Sequence, residues 1–182
     1  MISESSTEFT PTKVNPFAAA DVAAVLRERG WLDREMTAET QEWMNEAAVL
    51  LGPHAADRNA LADLLSLVFE YDARAILRSP ESPVVLAREG AREVIRELAH
   101  LVLEGPALDS DRFKEIVTAL KVRLRFRGRE LFHPLRLALA GRAGGGELDR
   151  VILLLDPAAR LIFRVPVKGS RQRMLEFCAS TE

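Results

Sequence analysis

A chain of 182 residues with 48% hydrophobic residues can bury a real core, as one domain or as two small helical units sharing an interface. Its single cysteine, Cys178, excludes a disulfide framework within the chain, and a net charge of −2 says nothing by itself about nucleic acid. The polar, acidic start lacks the parts of a secretory leader, and no window approaches the roughly 18 apolar residues of a membrane span. A cytoplasmic protein without a membrane partner is expected.

Aromatics make up only 6%, while Ala, Leu, Arg and Glu recur throughout, which favours helix over sheet. Residues 1–15, rich in Ser, Thr, Glu and Pro, read as a flexible arm. Asn15-Pro16 reads as an N-cap with proline at the first helical position, opening a helix that carries Val22, Val25 and Leu26 inward and stops at Gly30. A second helix is expected from near Thr37, burying Trp43, Ala47 and Leu50 and ending at Gly52-Pro53. From Asp57 the spacing of Leu61, Leu64, Leu65 and Val68 is helical, with Phe69 and Tyr71 beyond it.

Ser79-Pro80-Glu81-Ser82-Pro83 reads as a break, after which Ser82 and Pro83 cap the longest helix, running to Glu104. Its apolar stripe is Leu86, Val94, Ile95, Leu98, Leu101 and Val102. Asp109 or Ser110 caps the next helix, with Phe113, Ile116, Val117 and Leu120 inward. Pro134 is expected to open a short helix ending at Gly141, and one more apolar helix covers 148–155. The run 161–167 is β-prone and predicts an extended segment or short strand across the helices; a last helix, capped by Ser170, should bury Met174, Leu175 and Phe177. The expected fold is all-α, in two parts over 16–80 and 81–157, with a C-terminal extension over 158–182.

Catalytic chemistry is not evident. An enzyme needs convergent acid, base, nucleophile or metal groups. His54, His100 and His133 are scattered, Cys178 lies on an apolar helix face, and the loop Gly144-Gly145-Gly146 lacks the Lys-Ser or Lys-Thr of a phosphate-binding loop. No enzymatic activity, cofactor or metal is expected.

Charge is unevenly distributed. Residues 111–143 hold nine basic and three acidic residues, a local +6, and the remainder of the chain carries −8. Arg160, Arg164, Lys168, Arg171 and Arg173 form a second acid-free stretch. Of the 25 basic residues 21 are arginine, a side chain suited to phosphate and to stacking on splayed bases. The alternative reading is that Arg123, Arg125 and Arg127 line a solvated edge above Leu124 and Phe126.

The run Gly128-Arg129-Glu130-Leu131-Phe132-His133-Pro134-Leu135-Arg136-Leu137-Ala138-Leu139-Ala140-Gly141-Arg142 resembles the part of bacterial glutamyl-tRNA synthetases where a basic turn leads into a Leu-Phe-x-Pro-Leu-Arg-x-Ala-Leu-Thr-Gly helix. Gly145-Gly146-Glu147-Leu148 is similar to the Gly-Pro-Glu-Leu that often follows it, and the likeness extends in weaker form over residues 18–157. The resemblance implies the two-part helical cage of an anticodon-binding region, without the class I catalytic domain and its signatures.

Ala140 stands where the family usually has Thr, Gly145 and Gly146 replace residues such as Thr and Pro, and Asp57 stands where an Arg is common. The expected function is a non-catalytic module that binds tRNA, with tRNA-Glu the named candidate, or another RNA. Arg123, Arg125, Arg127, Arg129, Arg136 and Arg142 would meet the backbone, and Gly145, Gly146 and Leu148 would lie near bases. Arg136 has a second reading, as a structural bridge between helices. The alternative functions are a protein-interaction domain docking on a synthetase or other translation protein, and the missing half of a split synthetase.

Overall fold

The computed structural model describes residues 14–33 and 35–181, so the expected arm over 1–15 lies outside the described residues except for Val14 and Asn15. The regular elements among them are helices: α1 (Ala19–Glu28), α2 (Ala38–Leu51), a 3-10 turn (Gly52–His54), α3 (Arg58–Phe69), α4 (Ala73–Arg78), α5 (Glu81–Leu86), α6 (Ala91–Glu104), α7 (Ser110–Leu124), α8 (Arg129–Ala140), α9 (Glu147–Leu153), α10 (Leu155–Ala159) and α11 (Ser170–Thr181). The all-α expectation holds.

Local chemistry explains several starts. Thr37 Oγ1 accepts from Thr40 N, Asp57 Oδ1 from Ala60 N and Asp109 Oδ1 from Arg112 N. Each satisfies a donor that the helix leaves open, an effect of about 1 kcal/mol. Asn15 does something else. Its side chain accepts from Phe17 N and donates to Ala48 O at 2.8 Å, tying the entry of α1 to α2, so α1 begins only at Ala19. Gly52 makes room for it, since a Cβ there would overlap the Asn15 amide. In α2 the inward positions include Met44 and Leu51, whereas Leu50 is half-buried.

The long helix expected from 83 to 104 is two helices. The chain leaves α5 at Leu86, and Gly90, at φ +78°, turns it into α6. A Cβ on Gly90 would overlap the Phe126 ring, so the break is the seat of an aromatic side chain from the far end of α7. Gly90→Ala combines a left-handed backbone with that overlap. A loss of about 2–3 kcal/mol in urea unfolding is expected; a loss of only about 1 kcal/mol, the left-handed backbone alone, would show that Phe126 simply moves aside.

Pro134 lies inside α8 instead of opening it. The helix starts earlier because Gly128 O accepts from both Leu131 N and Phe132 N, and because Leu131 is fully buried. The cost is the bond that residue 134 would have made to Glu130 O. The apolar helix expected over 148–155 is interrupted at Leu154 and resumes as α10.

Residues 161–167 cross the helices without forming a strand, because no second strand lies beside them. Arg164 N donates to Trp31 O at 2.9 Å, and Phe163 enters an aromatic cluster with Trp43 and Phe69. Trp31 stacks on Phe69 at 4.8 Å, and Trp43 Nε1 donates to Leu154 O, so the first and later helices share this cluster. The apolar core runs without interruption from α1 to α11.

Ser170 does not cap α11. It is the first helical residue, and the buried Asp156 of α10 accepts from its N and its hydroxyl, as well as from Leu108 N. Leu175, expected inside, is 53% exposed; the inward positions are Arg173, Met174 and Phe177. The helix packs against α4, α6 and α8.

Candidate nucleic-acid interface

Two glycine-edged turns bracket α8. On one side α7 ends at Arg125 in a left-handed conformation (φ 60°), Phe126 drops into the space over Gly90, and Gly128 (φ 55°, ψ −133°) launches α8 from a backbone region only glycine occupies comfortably. On the other, Gly141 (φ 83°) closes α8 through two backbone bonds to Arg136 O and Leu137 O. The loop that follows is fixed from both ends. Ala143 N donates to Glu81, and Gly145 N donates to Glu147 Oε1 at 3.1 Å.

Arg136 holds this loop. Its Nε and Nη2 reach the two oxygens of Asp149 at 2.7 and 2.9 Å, and its Nη1 donates to Gly144 O at 2.9 Å. A bidentate, mostly buried pair of this kind fixes geometry as much as energy. The guanidinium also lies 4.7 Å from the Phe132 ring, with Lys121 Nζ 5.7 Å from the same ring. Gly128, Arg129, Phe132, His133, Arg136, Gly144 and Gly145 enclose a shallow depression of about 450 Å³.

Besides Lys121 over Phe132, the other eight basic residues of 111–143 separate into two groups. Arg112 and Lys114 pair with Glu115 and Asp111, Arg123 with Glu97 of α6, and Arg136 with Asp149. Arg125, Arg127, Arg129 and Arg142 are exposed and form no ion pair among the described residues. They stand on the two turns that flank the depression. Gly145 and Gly146 are exposed between them, and Leu148 is 2% exposed and packs in the core.

Asp57, at the position where the resemblance led one to look for an arginine, caps α3, and its neighbour Arg58 pairs with Glu28 at 2.6 Å. In the second basic stretch Arg173 is buried and Lys168 pairs with Glu176, which leaves Arg160, Arg164 and Arg171 exposed.

Phe132 and His133 line the depression and Lys121 lies over the Phe132 ring; none of the three was among the residues expected from the sequence to contact RNA. His133 Nδ1 lies 2.8 Å from Arg88 Nη1. Since guanidinium only donates, His133 accepts there and carries its proton on Nε2. Burial, followed by Arg88, Arg129 and Arg136, holds its pKa below the ordinary 6.5.

The folded protein therefore resists protonating this ring. Its contribution to stability is complete above the unfolded value and declines as pH falls towards the folded one. NMR titration should place His133 below 6.5, and an anion seated beside Arg129 should raise it. An unshifted titration would contradict the Arg88 contact.

Among the described residues no group of three or more His, Cys, Asp or Glu is placed to hold a metal ion, and no helix is long and apolar enough to cross a membrane. Comparison with known proteins gives a consistent result. The chain is 29% identical over 119 residues to glutamate–tRNA ligase 2 of Syntrophus aciditrophicus, covering 62% of this chain and 23% of that protein. It is 28% identical over 130 residues to glutamate–tRNA ligase of Bacillus licheniformis, covering 71% and 26%. With the enzyme of Carboxydothermus hydrogenoformans it shares 36% identity over 78 residues, 43% of this chain and 16% of the relative. The chain thus spans about a quarter of the length of the first two relatives. No solved structure matches it significantly. The family model of the anticodon binding domain matches residues 12–161, which takes in α1 to α10 and both turns around α8; the chain belongs to the anticodon-binding domain family.

Proposed function

We propose that this chain is a non-catalytic tRNA-binding module whose contact surface is the depression between the turn at 125–128 and the loop at 141–146. The observation that carries this reading is the set of four exposed arginines without ion partners among the described residues: Arg129, which lines the depression, and Arg125, Arg127 and Arg142 on the turns before and after α8. Guanidinium groups left unpaired are available to phosphate, and each contact releases counterions. The bare backbone of Gly144 and Gly145 lets a base approach closely, with Phe132 as the surface on which it stacks. Arg136 and Leu148 act as positioning residues, and Arg123 contributes only what its bond to Glu97 leaves over.

The named relatives are ligases for glutamate and tRNA, and tRNA-Glu is therefore the preferred RNA in this proposal. The test is binding of the purified protein to total tRNA and to a tRNA-Glu transcript across a salt series. Salt-sensitive binding at about micromolar affinity, stronger for tRNA-Glu, is the expected result. Equal affinity for all tRNA would remove the glutamate preference, and no binding at low salt would remove the proposal.

A further inference from the structure

The last turn of α11 builds a second concavity, on a segment that follows the family match ending at residue 161. A groove of about 510 Å³ lies between α4, α5, α6 and this turn, with Leu77, Leu86, Ile95 and Ala99 as its apolar floor and Arg92 and Arg96 on its rim. It shares no lining residue with the depression beside α8.

Arg92 and Arg96 sit four residues apart on one face of α6, are exposed, and form no ion pair or hydrogen bond among the described residues. Elsewhere on the helix Glu97 pairs with Arg123 and His100 with Glu104, and the exposed Glu93 does not line the groove. Two cations beside an apolar floor call for an occupant that is apolar on one side and anionic at its edge. The floor carries no aromatic ring on which a base could stack, and two arginines are few for a phosphate backbone. From residue 92 to residue 99 the groove runs along about 10 Å of helix, the length of roughly two helical turns of a ligand.

We propose that this groove docks an acidic amphipathic helix of a partner protein. Its apolar side chains fill the floor, and two carboxylates one turn apart meet Arg92 and Arg96, the helix-in-groove mode of recognition. The interaction is independent of RNA binding at α8.

The probe for this site is a short fluorescein-labelled synthetic helix with two glutamates one turn apart and leucines on the same face, followed by fluorescence anisotropy. Binding to the full chain at about 10–100 μM is expected, as befits a small transient interface. The double reversal R92E/R96E should weaken it about tenfold, and replacing the glutamates of the probe by lysines should restore binding to that variant. Binding of tRNA by the variant should be unchanged, which also reports that it folds. Absence of binding near millimolar probe, an affinity unaffected by the double reversal, or no recovery with the lysine probe would each overturn the proposal.

Discussion

Replacing Arg173 by Met is expected to lower stability by about 3–5 kcal/mol, the largest single-residue effect in the molecule. Its side chain is fully buried, and no carboxylate among the described residues pairs with it. The guanidinium donates instead to four main-chain carbonyls: Lys168, Leu67, Leu139 and Val68, at 2.7–2.9 Å. Three of these close the last turns of α3 and α8, where the helix dipoles present partial negative charge. The Tyr71 ring lies 4.5 Å from the guanidinium, and its hydroxyl bonds Ala138 O.

Burial lowers the Arg173 pKa to about 10, so the group remains charged at neutral pH, while burial pushes the Tyr71 hydroxyl up and keeps it a donor. The argument turns on an asymmetry. A buried ion pair can be exchanged for two apolar residues at little cost, but backbone carbonyls cannot be mutated away. Methionine would leave them without donors in a dry site. Urea unfolding of Arg173→Met should show the loss, with a fall in Tm of about 10 °C. Leu175→Ala on the exposed face of the same helix should stay within roughly 0.5 kcal/mol. A cost for Arg173→Met near that of Leu175→Ala would mean that water replaces the guanidinium.

What the sequence revealed and what it hid divide along the range of the interactions. Thr37 and Asp57 were legible as helix starts and Asp109 as one of two cap candidates, and each bonds a donor only three residues away. Gly30 and Gly141 were legible as stops, and both have positive φ. The break at 87–90 was not legible, since Phe126, from the distant turn after α7, packs against Gly90 there. Nor was the burial of Arg173, whose partners lie in α3, α8 and the loop before α11. An arginine at that spacing reads as surface, and Leu175 two positions on reads as core; the helix is rotated to satisfy the carbonyls. The basic segment was visible as charge, but separating paired from unpaired arginines required knowing that Glu97 and Asp149 stand opposite Arg123 and Arg136.

That separation makes the arginines of the α8 surface individually testable. Substituting Arg125, Arg127, Arg129 and Arg142 together by Ala should lower the affinity for tRNA about a hundredfold at moderate salt. It should also reduce the slope of log K against log salt by about 3, at roughly 0.7 per phosphate contact on single-stranded RNA. Arg136→Ala should behave differently. It releases Asp149 and Gly144, loosens the loop, and leaves one face of Phe132 uncovered, so affinity falls while the salt slope barely changes. Arg136→Lys should restore little of this, because an ammonium cannot reproduce the fork that meets both Asp149 oxygens and the Gly144 carbonyl. The two readouts separate contact from support. If Arg136→Ala flattens the slope, Arg136 touches phosphate despite its bond to Asp149; if the quadruple variant keeps the slope, the RNA surface lies on another face of the bundle.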